Sequence, residues 1–159
     1  MKVTVYAFGT LQSIFWREAA KDYENRLSRT WPTTVIELPE ARLPKEPTEG
    51  DVKRALAEEG KILLAKIPPR AFVVALCIEG MSLTSEALSA KMEDIASRGY
   101  SEIVFLIGSS HGLDPEVKKR ADLSLSFSLM TFPHQLARIL LLEQIYRAAE
   151  IARGSRYHK

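Results

Sequence analysis

The hydrophobic positions of this chain fall into short runs rich in β-branched and apolar residues, separated by longer and more polar segments. Runs of this composition and length are typical of strands that lie in a buried sheet. They predict strands at residues 3–8, 33–38, 72–77, 103–107 and 122–126.

The segments between these runs predict helices, and two of them carry clear start signals. Thr48 and Asp51 form a capping-box-like start, with Asp in the position where Glu is usual. Asp114 as N-cap and Pro115 at the first helical position predict a short helix. The predicted helices cover about residues 12–28, 49–66, 85–98, 115–120 and 131–152.

The order of these elements alternates strand with helix. This alternation implies an α/β fold with a mainly parallel sheet and helices on both faces. Three prolines mark residues 39–47 as a surface connection, and no change in composition suggests a domain boundary there. Because 159 residues with 46% hydrophobic positions can bury a sizeable core, we expect a single domain spanning residues 1–159.

The last predicted helix is apolar around most of its circumference. Pro133 favours a start near residues 131–133, and Gly154 ends the helix. Between them, residues 136–152 hold too many apolar positions for a one-sided stripe. A small domain seldom covers such a helix alone, so a second copy of the chain is the expected cover. The alternative is an ordinary core helix with a disordered tail.

Charge and cysteine content exclude several classes of protein. The chain has 22 basic and 20 acidic side chains, so a nucleic-acid surface has to be a local patch, such as the cationic residues 133–159. The single cysteine, Cys77, excludes a disulfide or a zinc cluster within one chain. We expect a cytoplasmic protein without a membrane partner, since neither an export signal nor a bilayer-length apolar stretch is present.

Three loops follow predicted strands at their carboxyl ends, where sheets of this kind bind ligands. They cover residues 78–82, 108–113 and 127–132. The second loop invites a phosphate-binding interpretation, but it lacks the P-loop and dinucleotide spacings, so a tight strand-to-helix turn is favoured. His111 and His134 are candidate bases, yet no triad or metal-binding spacing supports a hydrolase or a metal site.

Five sequence motifs together carry a family resemblance. They are Gly-Ser-Ser-His-Gly-Leu at 108–113, Leu-Ser-Leu-Ser at 123–126, Met-Thr-Phe-Pro-His-Gln at 130–135, Leu-Leu-Glu-Gln-Ile-Tyr-Arg-Ala at 141–148, and Arg153-Gly154 with Tyr157-His158-Lys159. In this combination the chain resembles, over its whole length, the bacterial large-subunit (23S) ribosomal RNA pseudouridine-N3 methyltransferases of the SPOUT class.

The resemblance implies an α/β fold with a C-terminal trefoil knot, a rare exception to the rule against threaded chains. It also implies a homodimer that binds S-adenosylmethionine and acts on ribosomal RNA. Because the chain is too short to carry a separate RNA-binding domain, a bulky substrate such as assembled ribosomes is favoured. The chain departs from the family pattern at Cys77, Met81, Ser109 and Leu129. Carried over by position, the cofactor pocket uses Leu76, Gly108, Phe127, Ser128, Leu129, Met130, Thr131 and Phe132.

The resemblance further implies that the C-terminal tail acts in the cofactor site of the other subunit. Tyr157 and His158 are the candidate catalytic residues, since Tyr157 could stack on an extruded base and a base or positive charge must favour loss of the N3 proton. The candidate RNA-binding residues are cationic: Arg138, Arg153, Arg156 and Lys159.

Other functions remain compatible with these residues. A catalytically lapsed RNA-binding SPOUT homodimer would retain the basic tail without using the cofactor. A purely structural dimer would bind neither ligand. A SPOUT methyltransferase that acts on transfer RNA would differ only in the RNA that accepts the methyl group.

Overall fold

The computed structural model describes residues 1–158, and for His158 the backbone alone. Its strands are β1 (Lys2–Phe8), β2 (Thr33–Leu38), β3 (Phe72–Ser82), β4 (Glu102–Ile107) and β5 (Leu123–Ser126). Its helices are α1 (Ile14–Leu27), α2 (Glu49–Lys66), α3 (Ser85–Ser97), α4 (Pro115–Arg120) and α5 (His134–Ala152), followed by a 3₁₀ turn at Arg156–His158.

The strands form one sheet in the order β2-β1-β4-β3-β5, and every neighbouring pair is parallel. Alternate residues of β4 enter different cores: Ile103 and Phe105 pack with α1, α3 and α5, whereas Val104 and Leu106 pack with α2 and α4. Side chains of a strand point alternately to the two faces, so helices cover both faces of this sheet. The predicted α/β fold is confirmed.

Local start signals in the sequence determine where two helices begin. The Thr48 side chain accepts the Asp51 N–H at 3.2 Å, and the Asp51 carboxylate accepts the Thr48 N–H at 3.0 Å. The hydrogen bonds that the Asp51 carboxylate accepts, first from the Thr48 N–H and then from the Thr48 hydroxyl, hold the pKa of Asp51 below its usual range. The Asp114 carboxylate accepts the Glu116 N–H at 2.7 Å at the start of α4. Both predicted caps are therefore confirmed.

β3 is longer than predicted. The sequence analysis ended this strand at residue 77 and placed a loop at 78–82, but the strand continues to Ser82. Leu125 of β5 pairs with both Leu76 and Met81, so the intervening residues bulge and the strand then resumes. A Cβ at Gly80 would lie 2.7 Å from backbone atoms of β5, which explains why a glycine occupies the bulge.

α5 receives much of its cover from its own chain. Five of its apolar residues are buried in the core that α5 shares with α1, α3 and the sheet, Arg138 is buried as well, and the remaining residues are partly buried. The expected homodimer and the C-terminal knot stay predictions. Within residues 1–158, no helix has the length and apolar character needed to cross a membrane. The described residues also contain no cluster of three or more side chains suited to a metal ion.

Candidate functional site

A cavity of about 440 Å³ lies at the bulge of β3, the carboxyl ends of β4 and β5 and the start of α5. We call it the strand-end cavity. All eight residues predicted to bind the cofactor lie on the elements around it, but Leu129 is 88% exposed and is not part of the wall. The other seven line the cavity: Leu76, Gly108, Phe127, Ser128, Met130, Thr131 and Phe132.

The loop at residues 108–113 forms one wall and closes on itself. The Gly112 N–H donates to the Ser109 carbonyl at 2.9 Å, and Gly112 has a φ of +90°. A Cβ at Gly108 would lie 2.3 Å from the Gly112 carbonyl oxygen, so the turn requires glycine there. The glycines thus serve a tight strand-to-helix turn, the interpretation that the sequence favoured.

The loop at residues 127–132 forms a second wall and is shaped by short-range hydrogen bonds. The Ser126 hydroxyl donates to the Ser128 carbonyl at 3.0 Å, and the Ser128 hydroxyl accepts the Met130 N–H at 3.0 Å. Met130 is 72% exposed although it lines the cavity. This wall therefore combines hydroxyl groups with apolar side chains that remain accessible to a ligand.

An ion pair on the cavity wall was missed by the sequence analysis. Glu79, in the bulge of β3, is bonded to Lys118 of α4, and both residues line the cavity. The hydrogen bond from Lys118 holds the pKa of Glu79 below its usual range. The pairing joins residues 39 positions apart. The only local sign of the Glu79–Lys118 pair in the sequence was the polar segment that follows the predicted strand. The candidate bases His111 and His134 also line the cavity.

Arg138, predicted to bind RNA, is instead an interior residue. It is 1% exposed, and its guanidinium donates to the Glu37 carboxylate at 2.5 Å and to the Gly9 carbonyl at 2.9 Å. The local excess of cations in the sequence could not distinguish this buried guanidinium from a solvent-facing charge. Because the guanidinium is inaccessible in this arrangement, Arg138 is not carried into the RNA surface proposed below.

The C-terminal tail folds back onto its own α5. The Tyr157 hydroxyl donates to Glu143 at 3.1 Å, and its ring centroid lies 4.8 Å from that of Tyr146. The Arg147 guanidinium lies 4.9 Å from the Tyr157 ring centroid. Burial, followed by the bond to Glu143, raises the pKa of Tyr157. Tyr157 does not line the strand-end cavity of its own chain.

The other tail residues have separate positions. Arg153 is exposed and pairs with Glu150 at 3.2 Å, and Arg156 is exposed. The side chain of His158 and the whole of Lys159 lie outside the described residues, so their predicted roles stay predictions.

The tyrosines around Glu143 predict a pH dependence of stability. Burial and the Glu143 carboxylate raise the pKa of Tyr23 from 10.0 to about 12, so the folded state retains this proton longer than the unfolded state. The stabilisation is full below pH 10 and is lost as the pH rises towards about 12. Urea unfolding across this interval should show a steeper loss of stability for the native chain than for Tyr23→Phe. Equal slopes would contradict the assignment.

Among known protein families, one model matches the chain from residue 1 to residue 158. Its description is "Predicted SPOUT methyltransferase". The matched segment includes every element that forms the strand-end cavity.

Proposed function

The chain belongs to the SPOUT methyltransferase family, and on this premise we propose that it methylates N3 of a pseudouridine in 23S ribosomal RNA. Assembled ribosomes in the cytoplasm are the proposed substrate, and S-adenosylmethionine is the proposed methyl donor. The strand-end cavity carries this proposal, since it lies where parallel sheets bind ligands and has the volume of a small-molecule site.

The residues of the cavity fit S-adenosylmethionine. Leu76, Phe127 and Phe132 offer apolar walls for an adenine ring, and the backbone of the 127–132 loop offers polar groups for its edge. Ser128, Thr131 and the Glu79–Lys118 pair offer hydrogen bonds and charge for polar groups of the ligand. When bound, S-adenosylmethionine supplies an electrophilic methyl group on its sulfonium.

The protein has to align the nucleotide and to remove the proton from N3. Alignment of the reacting atoms is expected to supply much of the acceleration. Tyr157 suits stacking or hydrogen-bond donation rather than proton removal, because a phenol with a raised pKa stays protonated at neutral pH. We therefore assign proton removal to His158, and stabilisation of the resulting anion to Arg156 and Lys159.

The position of the tail supports a composite site in a homodimer. Tyr157 packs on the α5 of its own chain and does not line its own strand-end cavity. A second copy would bring another tail to each cavity, and the partly buried residues of α5 provide surface for the contact. We propose that each active site combines the cavity of one subunit with the tail of the other, and that Arg153 contacts RNA.

Labelled S-adenosylmethionine tests the function directly. Assembled ribosomes, free 23S ribosomal RNA and transfer RNA from a strain lacking this gene would each be incubated with the purified chain. We expect label in ribosomes, and mass spectrometry should locate it at N3 of a pseudouridine. Label only in transfer RNA would favour the alternative substrate. Failure to bind S-adenosylmethionine in calorimetry, with RNA binding retained, would favour a catalytically lapsed RNA-binding protein.

A further inference from the structure

Two adjacent residues of α2, Glu59 and Gly60, contact the two ends of the turn at residues 108–113. We propose that Glu59 is a positioning residue that, with Gly60, holds this turn in the shape that lines the strand-end cavity. The identity of the ligand, S-adenosylmethionine, rests on the proposed function. The support of the turn itself can be measured without the ligand.

Glu59 joins two separate segments through its carboxylate. It is 4% exposed, and one oxygen accepts the Ser109 hydroxyl at 2.8 Å while the other accepts the Ala41 N–H at 3.0 Å. A buried carboxylate is costly unless hydrogen bonds stabilise it. The hydrogen bond from the Ser109 hydroxyl therefore helps to stabilise the buried Glu59 carboxylate, and in return it fixes the position of Ser109. Ser109 also lines the strand-end cavity.

Gly60 fixes the other end of the turn by close packing. A Cβ at this position would lie 2.8 Å from the Cβ of Asp114, the residue that caps α4 directly after the turn. The absence of a side chain therefore allows α2 to contact Asp114 directly. The beginning and the end of the turn are both held by one turn of the same helix.

The turn needs this support because space lies behind it as well as in front. A second cavity of about 240 Å³ is lined by Glu59 and shares residues 109–111 with the strand-end cavity. Residues 109–111 of the turn lie between the two cavities, so packing alone does not determine their position. Without the hydrogen bond from Ser109 to Glu59, the turn has room to move towards α2.

Such support should affect ligand binding more than chemistry. A turn that samples several positions reduces the fraction of molecules whose cavity has the binding shape, which weakens apparent affinity by that fraction. We expect Ser109→Ala to raise the Kd for S-adenosylmethionine about tenfold, the effect of one lost hydrogen bond to a charged group. Turnover at saturating cofactor should change little, and Ser109→Thr, which keeps the hydroxyl, should restore the affinity.

A matched control separates this effect from loss of stability. Ser89 is 1% exposed and donates to the Ala148 carbonyl at 2.8 Å between α3 and α5, away from both cavities. Ser89→Ala therefore also loses a buried serine hydrogen bond. It should lower the unfolding temperature to a similar extent as Ser109→Ala without changing the Kd.

Calorimetry with S-adenosylmethionine and hydrogen exchange of the free protein complete the test. We expect faster amide exchange in residues 108–113 for Ser109→Ala and for Glu59→Gln. The double variant that combines these two substitutions should bind S-adenosylmethionine no more weakly than Ser109→Ala alone. A Kd for Ser109→Ala equal to that for Ser89→Ala would overturn the inference and leave the proposed function intact. If the native chain does not bind S-adenosylmethionine, the proposed function fails, and unchanged exchange in the variants would overturn the support of the turn separately.

Discussion

A chain truncated after Arg156 should lose methyl transfer by at least about 100-fold while it still binds S-adenosylmethionine. The truncation removes Tyr157, His158 and Lys159, to which we assign stacking, proton removal and stabilisation of the anion. Tyr157 does not line the cavity of its own chain, and the residues that line it all precede the truncation, so affinity for the cofactor should be preserved. Labelled methyl transfer to ribosomes and calorimetry of cofactor binding measure the two effects on the same preparation.

Mixed dimers test whether the tail acts on the partner subunit. The truncated chain would be mixed with a second variant, Thr131→Trp, in which a large ring at an exposed position of the cavity wall should fill the cavity. Each variant alone should be inactive, but a mixed dimer has one intact cavity and one intact tail on different chains. Recovered activity after mixing supports a composite site. Full turnover by the truncated chain would refute the role of the tail, and an inactive mixture would refute its action in the partner's cavity.

Replacement of Arg138 by methionine should lower the free energy of unfolding by about 2 kcal/mol. The buried guanidinium donates to the Gly9 carbonyl and to Glu37, so its loss removes two hydrogen bonds, one of them to a carboxylate. The Glu37 side chain is 38% exposed and keeps the Leu11 N–H as a donor, so no charge is left buried and unpaired. The Arg138 Nε has no hydrogen-bond partner among the described residues, and relief of that cost reduces the expected loss further. Urea unfolding at neutral pH measures the difference.

The Arg153–Glu150 pair, in which the Arg153 side chain is 61% exposed, provides the matched control for this prediction. Arg153→Met removes an ion pair of the same helix at its solvent-facing end, and it should cost less than about 1 kcal/mol. A double variant that combines Arg138→Met with Glu37→Gln should be less destabilised than the sum of the single variants. A loss at Arg138 no larger than that at Arg153 would contradict the structural role of this residue.

Most helix and strand positions were predictable because their signals are local. The capping box at Thr48 and Asp51 and the N-cap at Asp114 each act within one turn of a helix. The extension of β3 was not predictable in this way. Its residues 78–82 read as a loop, and only pairing with a strand more than 40 positions later makes them part of the sheet.

The candidate site shows the same division between local and distant causes. Residues 108–113 and 127–132 were identifiable because loops after parallel strands meet at one edge of a sheet. The burial of Arg138 was not predictable because its partner, Glu37, lies 101 positions away on another element. The support of Ser109 by Glu59 was missed for a similar reason, since their separation is 50 positions and no spacing in the sequence links them.

The edge position of β5 also bears on how the protein avoids aggregation. β5 is the last strand in the sheet order, has only four residues, and is paired with a strand that bulges at Cys77 to Gly80. Short and irregular edges are poor templates for further strands. The cavity can therefore open beside an unpaired sheet edge without inviting amyloid-like stacking.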